Sequence, residues 1–120
     1  MLRNMTTAIG AFILAVLGGL AYSLPAVAGE AAIAKGKELA FDRKKGNCLA
    51  CHMIDDGDLA GNVGPPLLAM KSRYPERVEL RDQIWDATVA NPRTTMPPFG
   101  KHGILTDEEI DLITDYIYTL

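Results

Sequence analysis

Gly46-Asn47-Cys48-Leu49-Ala50-Cys51-His52 decides how this chain is read, because it holds both cysteines of a 120-residue sequence. So close together, they cannot join distant parts of a fold, and their use is therefore chemical. C-x-x-C-H is the spacing of covalent haem attachment. Two thiols are placed to add to the two vinyl groups of one porphyrin, and the adjacent imidazole is placed to bind the iron from one side. Three other uses compete: a thioredoxin-like redox pair, half a zinc site, or a local disulfide. The redox pair needs a βαβ setting that the flanks do not carry. Zinc needs further Cys or a second His cluster, and the only other histidine is His102. The expected cofactor is one haem c per chain, attached through Cys48 and Cys51, with His52 as an axial ligand.

A proximal imidazole usually has its free ring nitrogen hydrogen-bonded to a carbonyl, which fixes the tautomer and raises basicity at the metal. Gly64-Pro65-Pro66-Leu67 can supply one from a stiff turn, and the carbonyl of Pro65 is the expected partner of His52. The competing reading is a loop that only turns. The other axial ligand has four candidates, Met53, Met70, Met96 and His102. Met53 adjoins His52 and cannot reach across a porphyrin. Met70 stands beside Leu67 and Leu68, where methionine is more often core filler. Met96 lies in a loop stiffened by Pro92, Pro97 and Pro98, which holds a weak thioether ligand at little ordering entropy. It is the favoured ligand, with His102 as its competitor.

Outward from this motif the pattern is helical. Ala31 to Arg43 reads as a helix with Ile33, Leu39, Ala40 and Phe41 apolar, ended at Gly46. Its interior Gly36 costs about 1 kcal/mol relative to alanine and signals the close approach of another backbone. Asp55 to Leu68 is a Gly- and Pro-rich loop. A middle helix is expected from Glu76 to Ala90, with Val78, Ile84, Trp85 and Thr88 or Val89 inward, stopped at Asn91-Pro92. Arg93 to Gly103 is again loop. Thr106 followed by Glu109 is a capping box that opens a last helix, whose stripe is Ile110, Ile113, Ile117 and Leu120. No segment alternates with period two, so the fold class is all-α: three to four helices with long loops wrapped around one haem.

Arg3 is the only charge before Glu30, and the apolar run from Ala8 to Ala21 lies between them. With Pro25 and the small-residue pattern Ala26-Val27-Ala28, this reads as a secretory signal peptide, residues 1–28, cleaved after Ala28 and leaving one domain, 29–120. The competing reading is an uncleaved membrane anchor. Export from a bacterial type of cell implies the periplasm. Twelve basic residues against fifteen acidic give a net charge of −3 and a pI near 5.3, so no electrostatic footprint for nucleic acid exists. Hydrophobic residues at 48% and charged residues at 22% exclude a disordered chain. Lys35, Lys37, Arg73, Arg77, Arg81 and Lys101 either line a docking face or, as the commoner case, coat solvated helices.

Taken together, the first helix with Gly36 and Phe41, the Cys48-Leu49-Ala50-Cys51-His52 site, Gly64-Pro65-Pro66-Leu67, the Met96-Pro97 loop and the Leu105–Ile117 helix resemble the class I cytochromes c. In that family the first and last helices cross at right angles, which would place Gly36 at the contact. A narrower resemblance lies in Arg43–His52, Gly61–Pro65 and Asn91–Gly100. These are similar to the SoxX family, the small monohaem subunits of SoxAX in periplasmic thiosulfate oxidation. That resemblance implies thioethers at Cys48 and Cys51 and axial ligands His52 and Met96. It also implies a SoxA partner in a heterodimer, a SoxYZ carrier whose cysteine is joined to thiosulfate, and a downstream cytochrome c. The subunit would then serve a thiosulfotransferase complex as an electron relay and not as its catalytic centre. The alternative is a free cytochrome c shuttle with no catalytic partner. A third class, an iron that opens to bind gas, is opposed by the proline-rich Met96 loop.

Overall fold

The computed structural model describes residues 25–120. Among them are four α-helices, one 3-10 turn and no strand: α1 (Pro25–Phe41), the turn Cys48–Ala50, α2 (Met70–Arg73), α3 (Arg77–Trp85) and α4 (Asp107–Ile117). The expected all-α class holds. The expected signal peptide falls on residues 1–28, and its positions 1–24 lie outside the described residues.

α1 begins earlier than the expected Ala31. Pro25 occupies the first turn, where a missing N–H leaves no bond unmade, and Ala26, Ala28, Ala31 and Ala32 are strong helix formers. It ends at Phe41 because Asp42 turns the chain: its carboxylate accepts from the Lys44 N–H at 2.8 Å, and Gly46 donates back to the Leu39 carbonyl at 3.0 Å.

α3 is shorter than expected and stops at Trp85, not Ala90. Asp86 leaves the helical region and its carboxylate accepts from the Thr88 N–H at 3.0 Å and from the Thr88 hydroxyl. This local side-chain turn outcompetes another helical turn. Its buried residues are Leu80 and Ile84, while Val78 and Val89, expected inward, are 56% and 82% exposed. The single turn α2 was not foreseen.

α4 has the expected capping box. Thr106 accepts from the Glu109 N–H at 3.2 Å, and Glu109 accepts from the Thr106 N–H at 3.0 Å. Ile110, Ile113 and Ile117 are buried as the stripe requires, joined by Tyr116. Two helices pack on α4. α1 meets it at Gly36, where a Cβ would overlap the Leu112 carbonyl, so only glycine permits the approach. α3 meets it through a ladder with a four-residue period. Arg77 pairs with Asp115 at 2.5 Å, Arg81 with Asp111 at 2.8 Å and Asp107 at 3.3 Å, and the Trp85 indole N–H donates to Asp107 at 3.2 Å. Residue numbers rise on α3 as they fall on α4, so the two helices run antiparallel.

The cations that could have lined a docking face are thus largely engaged within the chain. Lys35 pairs with Glu38, Lys37 with Asp56 and Lys101 with Asp86, while Arg73 donates to the Pro66 carbonyl at 2.9 Å.

Candidate haem site

The Cys48–Ala50 turn is entered through Asn47 in the left-handed conformation, one that asparagine tolerates better than most residues. The His52 and Cys51 N–H groups both donate to the Cys48 carbonyl, at 2.9 and 3.2 Å, which gathers the two thiols and the imidazole into one short coil. Both cysteines are free and half-buried. Burial, with the neighbouring Cys51, pushes the Cys48 thiol up to about 11, so it is held neutral.

His52 Nδ1 lies 2.7 Å from the Pro65 carbonyl oxygen, the partner read from Gly64-Pro65-Pro66-Leu67. A carbonyl only accepts, so Nδ1 carries the proton and Nε2 keeps its lone pair for a metal. Gly64 lies against the ring itself: a Cβ there would stand 2.6 Å from Nδ1 and 2.9 Å from Nε2. Two further bonds hold the loop in place, Gly61 N–H to the Leu49 carbonyl and Gly64 N–H to the Cys51 carbonyl, both at 2.7 Å. The imidazole is therefore fixed by a carbonyl at one edge and bare backbone along its face.

The four candidates for the second axial ligand separate by environment. Met53 is 50% exposed, and Met70 is 1% exposed inside the core with its sulfur accepting from Arg73 at 3.5 Å. His102 is exposed and its backbone N–H closes a turn on the Pro98 carbonyl at 3.0 Å. Met96 is half-buried and packs on the same core as Cys48, Leu49 and Leu67. Its N–H is held by the Thr94 hydroxyl at 3.1 Å. Two free thiols, an imidazole with one nitrogen committed, and a thioether on a pinned loop are a donor set that fits a covalently attached haem.

A further set of contacts, not foreseen from the sequence, steadies this region. Tyr116, buried in α4, donates its hydroxyl to Asp56 at 2.8 Å, and Asp56 also pairs with Lys37 of α1 at 2.5 Å. The ammonium and the tyrosine hydroxyl hold the Asp56 carboxyl below its usual range. The loop that follows His52 is thereby tied to both long helices.

The family described as cytochrome c oxidase, cbb3-type, subunit III matches residues 31–117. The chain belongs to this family of c-type cytochromes. The cytochrome carries haem c, covalently bound, and its role is electron transfer. The crystal structure of SoxXA from P. pantotrophus is similar in fold, with a TM-score of 0.65 and 25% identity over 72% of this cytochrome and 79% of that chain. An uncharacterized lipoprotein of Aquifex aeolicus (strain VF5) is 40% identical over 76 residues, 62% of this chain. The cytochrome spans only 37% of that relative's length. No described helix is long and apolar enough to cross a membrane.

Proposed function

We propose that this cytochrome is a SoxX-type subunit working in the periplasm beside a SoxA-like partner, where it receives electrons released as thiosulfate is joined to a carrier cysteine. The observation that carries this reading is the fold shared with SoxXA across most of both chains. The residues quoted from Arg43–His52, Gly61–Pro65 and Asn91–Gly100 support it. Residues 1–28 act as the export signal in this reading.

Cys48 and Cys51 would hold the haem through thioethers, each formed by addition of S–H across a vinyl group with no net change of oxidation state. His52 would ligate the iron through Nε2 while its Nδ1–H stays on the Pro65 carbonyl, and Met96 would supply the thioether. Haem c held this way supplies a one-electron acceptor whose potential the methionine raises. Joining a thiol of a SoxYZ-type carrier to thiosulfate makes a sulfur–sulfur bond and releases one proton and two electrons. A one-electron acceptor therefore needs a second centre or two turnovers. The partner holds the catalytic centre in this scheme, and a small downstream cytochrome c takes the electrons onward.

Two experiments test this reading. Met96→Ala should abolish the low-spin His/Met spectrum and lower the reduction potential; an unchanged spectrum moves the ligand to Met70 or His102. Affinity purification from the native periplasm should bring down a second, cysteine-ligated cytochrome in stoichiometric amount. Recovery of the monomer alone supports a free shuttle instead, whose contacts are small and transient.

A further inference from the structure

Asp86 stands at the C-terminal end of α3 and is only 6% exposed. The negative end of a helix repels a carboxylate, and a buried charge is costly unless paired. The pairing comes from the Met96 loop: Lys101 Nζ lies 2.9 Å from Asp86 Oδ2. The same loop takes the last carbonyl of α3, with the Gly100 and Lys101 N–H groups donating to the Trp85 oxygen at 3.0 and 3.3 Å. The Trp85 indole lies so close on Gly100 that a Cβ there would overlap the ring. Between Met96 and this clamp stand Pro97, Pro98 and the buried Phe99. The prolines have a fixed φ and leave the chain little freedom to absorb a shift.

We propose that the Asp86–Lys101 ion pair and the Trp85–Gly100 contact are positioning elements for Met96, setting how often its thioether leaves the iron. The inference rests on the reading of Met96 as axial ligand. Neither Asp86 nor Lys101 touches the donor set. They act through the loop that carries it, and loosening the clamp raises the fraction of molecules with Met96 dissociated.

Exogenous imidazole reports that fraction, because its apparent affinity scales with the population of the open state. Titrating the ferric holoprotein and following the sulfur-to-iron charge-transfer band should give imidazole binding tighter by up to about fivefold for Lys101→Met, the scale of losing a partly exposed ion pair, and tighter binding for Gly100→Ala as well. Lys101→Arg, which keeps the cation, should stay near wild type. Lys45→Met removes a comparable ion pair, Lys45–Glu109 at 2.6 Å, in a part of the fold without this loop, and should leave the affinity near wild type. If Lys101→Met binds imidazole no more tightly than Lys45→Met while Met96→Ala loses the band, the clamp is refuted and the ligand reading stands. If Met96→Ala keeps the band, both fail. Should Gly100→Ala not fold, the Lys101 series decides alone.

Discussion

Gly36→Ala adds one methyl group at the point where α1 rests on α4. The added Cβ would overlap the Leu112 carbonyl oxygen and carbon and reach the Tyr116 Cβ at 3.0 Å. Two of these three obstacles are backbone atoms inside a helix, so no side chain can swing aside and the helices themselves must separate. Overpacking of this kind costs up to about 3 kcal/mol. Alanine returns about 1 kcal/mol in helix propensity, leaving a net loss of about 2 kcal/mol. At roughly 4–8 °C per kcal/mol for a domain of this size, the unfolding midpoint should fall by about 8–16 °C. Thermal unfolding of the haem-loaded protein by circular dichroism measures this. A midpoint equal to or above wild type would mean that propensity dominates at position 36 and that the contact does not limit helix approach.

Asp111→Asn removes the rung shared by Arg81 at 2.8 Å and Arg77 at 3.6 Å. It should cost about 1 kcal/mol at low salt and less at high salt, as exposed pairs are screened; urea titrations that give the same loss at both ionic strengths would contradict this. Glu109 is held below the usual glutamate range first by Lys45 and then by the Thr106 N–H. A depressed carboxyl stabilises the fold above its unfolded value, and that contribution disappears as pH falls through the folded value. The stability gap between wild type and Lys45→Met should therefore close below about pH 4, and a gap that persists in acid would exclude the pairing as its source. Replacing both Cys48 and Cys51 by alanine should yield a protein whose haem extracts into acidified organic solvent, whereas wild type retains it; retention by the double variant would rule out the thioether bonds.

Local signals in the sequence carried much of this architecture. Thr106 and Glu109 announce the start of α4 because a capping box needs only residues three apart, and Gly36 announces a close approach because nothing else excuses a glycine inside a helix. The Pro65 carbonyl was legible as a candidate because a stiff Gly-Pro turn follows the imidazole closely, though the competing reading of a loop that only turns is excluded by the structure alone. What the sequence hid depends on partners remote in the chain. α3 stops at Trp85 because Asp86 bonds Thr88 and the Trp85 carbonyl is claimed by Gly100 and Lys101, whereas Asn91-Pro92 offers a more conspicuous stop. Val78 points outward because the ladder turns another face of α3 toward α4, and Val89 is exposed because it lies beyond the end of that helix. The Tyr116–Asp56–Lys37 contact joins three separate segments, so no window along the chain contains it.

Arg77 and Arg81 on one helix, and Asp107, Asp111 and Asp115 on the other, repeat every four residues. A slip of α3 by one turn would still bring an arginine opposite an aspartate, so the charges resemble a ruler with identical marks. They favour antiparallel alignment without choosing among offsets. Uniqueness comes from an unrepeated feature, the indole of Trp85 on Asp107. Weakening that contact should let α3 sample an alignment one turn away on α4, in which both arginines still meet an aspartate and Asp115 is left over.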